Sequence, residues 1–118
     1  MNRICFDIET GPRPDAEIAH LMPEFSAPAN YKDPEKIAKN IAEQRSAWAE
    51  KAALSAVTGR ILAIGLRELG INTIFASGDE AEDLKCFWAF VEDRAATSVF
   101  IGHCIENFDL PFLVRRSW

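Results

Sequence analysis

Two carboxylates two residues apart, Asp7 and Glu9 in the stretch FDIETGP from Phe6 to Pro12, are the side chains here best spaced to do chemistry together. Ile4, Phe6 and Ile8 alternate with Cys5, Asp7 and Glu9. Alternation is the period of a β-strand, so both acids project from one face, with a separation of roughly 6.5 to 7 Å along the chain. Like charges held this near raise each other's pKa unless a cation lies between them. Oxygen-only ligands suit Mg²⁺ or Mn²⁺. In two-metal sites the ions sit ~3.5 to 4 Å apart, one activating a water and the other stabilising the leaving oxygen of a phosphodiester. A plainer reading fits the same residues, because D-x-E arises by chance about once in 300 positions and an exposed edge strand also carries acids on its outer face. Asp109, in NFDLPFL, is the third candidate carboxylate, and it also fits as the N-cap of a helix containing Pro111.

The elements that must position these residues are marked by their own patterns. Residues 3 to 9 form a strand with one core face. Pro12, Pro14, Pro23 and Pro28 then interrupt any long regular element, leaving an irregular connection with room for a short helix from Asp15 to Met22. Asp33-Pro34 signals a helix start, and Ile37, Ile41, Trp48 and Ala52 recur at helical spacing to about Leu54. Residues 61 to 69 and 71 to 77 read as an antiparallel hairpin turning at Gly70. Gly78-Asp79 opens a helix with the apolar stripe Leu84, Phe87, Trp88 and Val91, ending near Arg94. Residues 97 to 103 read as a buried strand, and a final helix starts around Asp109 with Pro111 in its first turn.

This order predicts a single α/β domain over residues 1 to 118 with a helical insertion at about 12 to 58. Three strands run antiparallel, and the last returns through a right-handed crossover to lie parallel to the first. Such an arrangement carries Asp109 towards Asp7 and Glu9, so that three carboxylates share one rim.

Composition narrows the possibilities. A chain of 118 residues with 48% hydrophobic content suits one globular core. No apolar run approaches bilayer-spanning length, and the charged start MNRICFDIETG is unlike a secretory signal, so a cytoplasmic location without membrane contact is expected. Cys5, Cys86 and Cys104 are odd in number and widely spaced, which predicts buried, reduced thiols. The net charge of -5 argues against broad electrostatic coating of nucleic acid, but not against an enzyme that reaches a phosphodiester through metal cations. Lys32, Lys36, Lys39 and Arg45 are interspersed with Glu35, Glu43 and Glu50, which predicts a solvated, salt-bridged helix face, with a positive path for nucleic acid along the insertion as the alternative. Phe25 and Tyr31 are read as pins for the long connection, with stacking on a terminal base as the alternative.

FDIETGP together with IGHCIENFDLPFLVRRS resembles the first and second motifs of the DEDD 3'-5' exonucleases of the ribonuclease H-like superfamily, in the branch similar to family B DNA polymerase proofreading domains. The segment from Glu24 to Gly65 resembles the insertion of predicted stand-alone exonucleases of that branch, so the likeness covers nearly the whole chain. The resemblance implies a ribonuclease H-like mixed sheet, a site for two Mg²⁺ or Mn²⁺ ions, and removal of 3'-terminal nucleotides from a single strand, DNA more than RNA. Asp7 and Glu9 match the first motif's metal-binding pair, and Asp109 matches the second motif's aspartate. Thr10, Gly11, His103, Asn107 and Phe108, which flank these acids, are expected to line the substrate. Cys104 stands where the second motif usually has Asn. The family's third motif, a Tyr or His with a fourth carboxylate, lies well downstream of the second; only nine residues follow Asp109 here and none is acidic. The expectation is therefore a C-terminally incomplete domain, lacking the final strand and helix, weakly active or inactive and binding one ion loosely or none. Its strand at 97 to 103 is expected to be an open edge that invites a homodimer or a covering partner. A catalytically inactive module binding nucleic acid or protein is the rival reading.

Overall fold

The computed structural model describes residues 1–118 and contains a four-stranded mixed sheet in the order β3-β2-β1-β4. β1 is Asn2–Pro12, β2 Gly59–Glu68, β3 Ile71–Phe75 and β4 Ser98–Ile101. β1 lies antiparallel to β2 and parallel to β4, while β2 and β3 form a hairpin. The helices are α1 (Asp15–Ile18, followed by one 3-10 turn), α2 (Pro34–Ala52), α3 (Glu80–Arg94) and α4 (Leu110–Arg116). A single π-helical turn, Ile105–Asp109, leads into α4.

Alternation along β1 decides the layering. Ile4, Phe6 and Ile8 are buried with Ile61, Ile64 and Leu66 of β2, and α3 and α4 cover that face with Leu84, Phe87, Phe112 and Leu113. Phe6 meets Phe87 and Phe100 at ring-centroid distances of 6.1 Å each, so strand, crossover helix and parallel strand share one aromatic cluster. Cys5, Asp7 and Glu9 stand exposed on the opposite face, as the period-two pattern predicts. β1 runs three residues beyond the predicted strand. The ladder shifts register between Glu9 and Thr10, where β2 carries Leu62 as an extra residue, a bulge that bends the pair just past the two acids.

The helices start where their caps predict. Asp33 accepts from the Glu35 N–H at 3.1 Å with Pro34 in the first turn, and Asp79 accepts from the Glu82 N–H at 3.3 Å. At the hairpin, Leu69 and Gly70 both have positive φ, 50° and 80°, the sign a two-residue type I′ turn requires at both central positions.

Several expectations are corrected. The strand predicted over 97 to 103 is shorter and is not buried: as the sheet's edge it leaves Val99 and Ile101 40% or more exposed. Its place beside β1 and its open outer edge do match the expectation. The thiols are not buried as a group: Cys5 and Cys104 are exposed and Cys86 is half-buried. Cys5 shares the outward face with Asp7, and Cys104 sits in a tight turn, so neither has a core to enter. No lysine of α2 forms an ion pair, so the predicted salt-bridged face is absent.

α2 buries only Ala52, at its C-terminal end. The rest extends away as an arm, giving principal extents of 63 × 23 × 21 Å and a radius of gyration of 18.6 Å, against about 13.5 Å for a compact domain of this length. Across the irregular connection, the Gln44 amide donates to the Ser26 carbonyl and the Arg45 guanidinium lies 5.8 Å from the Phe25 ring centre. Phe25 thus packs on the arm, not on the sheet core.

Candidate metal centre

Asp109 is positioned by α4, a helix too short to hold its shape alone. Phe112 and Leu113 sink into the core, and Phe108 packs against Phe112 in a tilted pair with ring centroids 5.5 Å apart. At the other end Arg116 pairs with Glu80 at the start of α3, and Glu80 also accepts the Ile61 N–H of β2 at 2.6 Å. The Ser117 hydroxyl receives the Trp88 indole N–H at 2.7 Å and donates to the Leu113 carbonyl. Helix α4 is therefore clamped to α3 and β2, and Asp109 at its head is carried to a defined place. Arg116 is an anchor of this arrangement. Its partner lies 36 residues away, and no local pattern marks it.

The turn between β4 and α4 is equally constrained. Gly102 passes so close to β1 that a Cβ there would stand 2.7 Å from the Phe6 carbonyl oxygen and 2.4 Å from the Ile105 side chain. Cys104 follows in the left-handed region at φ 52°, and its carbonyl accepts the N–H groups of Asn107 and Phe108 at 3.2 and 2.9 Å. The π-helical turn follows, in which the Leu110 N–H donates to the Ile105 carbonyl five residues back, and it carries Asp109 to β1.

Along β1, backbone N–H groups point alternately to its two neighbours. The Asn2 N–H donates to Thr97, so those of Ile4, Phe6 and Ile8 face the side of β4. β4 ends at Ile101, opposite Cys5, which leaves the Ile8 N–H beyond the last paired residue. The Asp109 carboxyl occupies that position. It is only 3% exposed, and its Oδ2 is buried without any hydrogen-bond partner. Burial raises its pKa above the usual 3.8, and the neighbouring Asp7 charge raises it further. The N–H groups of Ile8 and Asp109 and the nearby His103 act in the opposite direction.

Asp7, Asp109 and His103 are thus neighbours across the junction of β1 and α4. Glu9, two residues further along the exposed face, does not close a three-residue group: nowhere do three His, Cys, Asp or Glu side chains gather as a ready-made metal cage. Thr10 is half-buried at the bulge, and Gly11 is buried where a Cβ would meet Leu62 at 2.8 Å. His103 and Asn107 are exposed, while Phe108 is committed to packing on Phe112 and the core. Of the predicted substrate-lining residues, His103 and Asn107 are the ones whose side chains remain accessible beside the acids.

The orphaned Asp109 oxygen is an unused hard donor. This buried Oδ2 has no hydrogen-bond partner and lies within reach of the Asp7 charge, an arrangement that a cation would relieve. Mg²⁺ commonly takes one or two protein carboxylates and completes its shell with water and phosphate oxygens. Asp7 and Asp109 fit one such ion, and a full protein cage is not needed for it.

Compared with known proteins, the chain matches no family model and has no significant match among curated proteins or solved structures. The fold is that of an α/β domain with a mixed four-stranded sheet, α3 and α4 on one face, and a projecting helical arm. No helix is long and apolar enough to cross a membrane.

Proposed function

We propose that this chain is a ribonuclease H-like domain that removes nucleotides from the 3' end of single-stranded nucleic acid, DNA more than RNA, with Mg²⁺ or Mn²⁺. The observation that carries the reading is the buried, unpartnered Oδ2 of Asp109 beside Asp7. A bound cation would neutralise the two carboxylates and supply charge stabilisation and an activated water for phosphodiester hydrolysis. Asp7 and Asp109 would hold it, with Glu9 contributing from the same strand face as Asp7. His103 and Asn107, accessible at the rim, would orient the terminal nucleotide. In the reaction a water oxygen forms a bond to phosphorus and the bond to the preceding 3' oxygen breaks. A nucleoside 5'-monophosphate and a new 3'-hydroxyl result.

Titration of the chain with Mn²⁺ by calorimetry tests this directly. One ion should bind, and Asp7→Ala or Asp109→Ala should weaken binding at least about 100-fold, the upper end of what loss of even an outer-shell partner costs. A 5'-labelled oligonucleotide should shorten slowly from its 3' end with Mn²⁺ and not with EDTA. Cation binding that ignores Asp7 and Asp109, or none at all, would sink the proposal. A second reading, an inactive nucleic-acid-binding module, draws on the lack of a three-ligand group and predicts oligonucleotide binding without shortening.

A further inference from the structure

At the far end of the arm, where the irregular connection enters α2, lies a hollow of about 590 Å³. Lys32, Lys36 and Lys39 line it, with Tyr31 at its edge. Lys36 and Lys39 lie three residues apart on one face of α2, and Lys32, just before the Asp33 cap, lines the same hollow. All three are exposed, and none reaches a carboxylate within ion-pair distance. Two acids share the lining. The Asp33 carboxylate accepts the Glu35 N–H as the helix cap, and Glu43 stands one turn beyond Lys39 without engaging it. Tyr31 leaves 37% of its surface open. In a chain of net charge -5, three unengaged ammonium groups converging on one hollow beside an accessible aromatic ring are an exception to the surrounding charge.

We propose that this hollow is a second contact site for single-stranded nucleic acid. Lys32, Lys36 and Lys39 take successive phosphates, and Tyr31 stacks on a base between them. The chemistry separates the two roles, since ammonium groups answer to phosphate charge irrespective of sequence and an aromatic ring adds a face on which any base can stack. The α2 helix, 19 residues and so roughly 28 Å long, has its opposite end buried at Ala52 against the body. The arm would therefore hold the strand well away from the carboxylates, engaging its internal part while the 3' end lies at the rim. The inference rests on the reading of nucleic acid as substrate, but its test does not need catalysis.

The test is fluorescence anisotropy of a labelled single-stranded oligothymidylate of about 20 nucleotides, in EDTA, between about 50 and 200 mM salt. The wild-type chain should bind with marked salt dependence. Replacing the three lysines together (Lys32→Gln, Lys36→Gln, Lys39→Gln) should weaken binding at least about tenfold at low salt. It should also reduce the slope of log affinity against log salt by about 2, three contacts at ~0.7 each. Tyr31→Ala should weaken binding about tenfold without changing that slope, and Tyr31→Phe should restore it. All these positions are exposed, and unchanged circular dichroism serves as the folding control. Unaltered affinity and slope in the triple variant would overturn the site. Loss through the lysines with no effect of Tyr31→Ala would make it a general polyanion patch, which also overturns the assignment. If binding depends on the hollow but Mn²⁺ never produces Asp7-dependent shortening, the exonuclease reading fails and this site stands. If shortening is Asp7-dependent while the triple variant binds normally, the reverse holds.

Discussion

The acids of the candidate centre are held in two different ways. Asp7 and Glu9 stand exposed on the outer face of β1, where strand alternation alone puts them. Asp109 is buried at the head of a seven-residue helix and carries an oxygen with no donor. The exposed pair costs the fold little, because water solvates both charges. The buried acid is unfavourable when ionised and depends on the surrounding core, clamp and turn to stay in place. That contrast locates the functional tension in the α4 half, where a cation would relieve it.

The largest expected effect breaks the scaffold of that half. Gly102→Ala would push a Cβ into the Phe6 carbonyl, and overpacking of this kind costs about 1 to 3 kcal/mol. Urea denaturation should show the loss, whereas an unchanged midpoint would mean that the close approach is not needed. Next comes the charge itself. Because the Asp109 pKa is raised above 3.8, the native state holds more protons than the unfolded chain between 3.8 and the raised value. The stabilising contribution is therefore complete below 3.8 and is lost as pH rises through the raised pKa. Asp109→Asn should remove this decline, so wild type and variant should diverge in EDTA as pH rises above 3.8. Excess Mn²⁺ should stabilise wild type only. Parallel pH profiles for the two proteins would refute the account.

Smaller effects sharpen the same contrast. Cys104 occupies the left-handed region, which costs a side chain with Cβ roughly 1 to 2 kcal/mol and suits Asn better. Cys104→Asn should raise the unfolding free energy by something on the order of 0.5 to 1 kcal/mol, measured in the same denaturation series; a loss would show that the thiol has a packing role. Least of all, Glu9→Gln on the exposed face should change metal-free stability by less than about 0.5 kcal/mol, while abolishing the cation-dependent shortening of oligonucleotides. A large stability change at Glu9 would erase the distinction between the two halves.

Legibility in the sequence follows the same division. The alternation from Ile4 to Glu9 placed both faces of β1 correctly, and Asp33-Pro34 and Gly78-Asp79 marked the starts of α2 and α3, since strand period and helix caps act over a few residues. The β1–β4 neighbourhood was also foreseeable, because a helix between two strands favours a parallel return. Other features had no local signature. TSVFIGH is apolar enough to suggest a buried strand, yet only its place at the sheet edge decides that Val99 and Ile101 face solvent. The alternating charges of α2 suggested ion pairs that the geometry does not form.

What the amino-acid sequence determined by itself is the common face of Asp7 and Glu9, the helix starts and the order of elements, because backbone period and capping are short-range. Whether Asp109 meets Asp7 was decided only in the tertiary structure. That meeting needs Gly102 against Phe6, the π-helical turn after Cys104, and α4 held by Phe112, Leu113 and the Arg116–Glu80 pair. Burial of one carboxylate is a property of its packed neighbours, and those come from segments far apart along the chain.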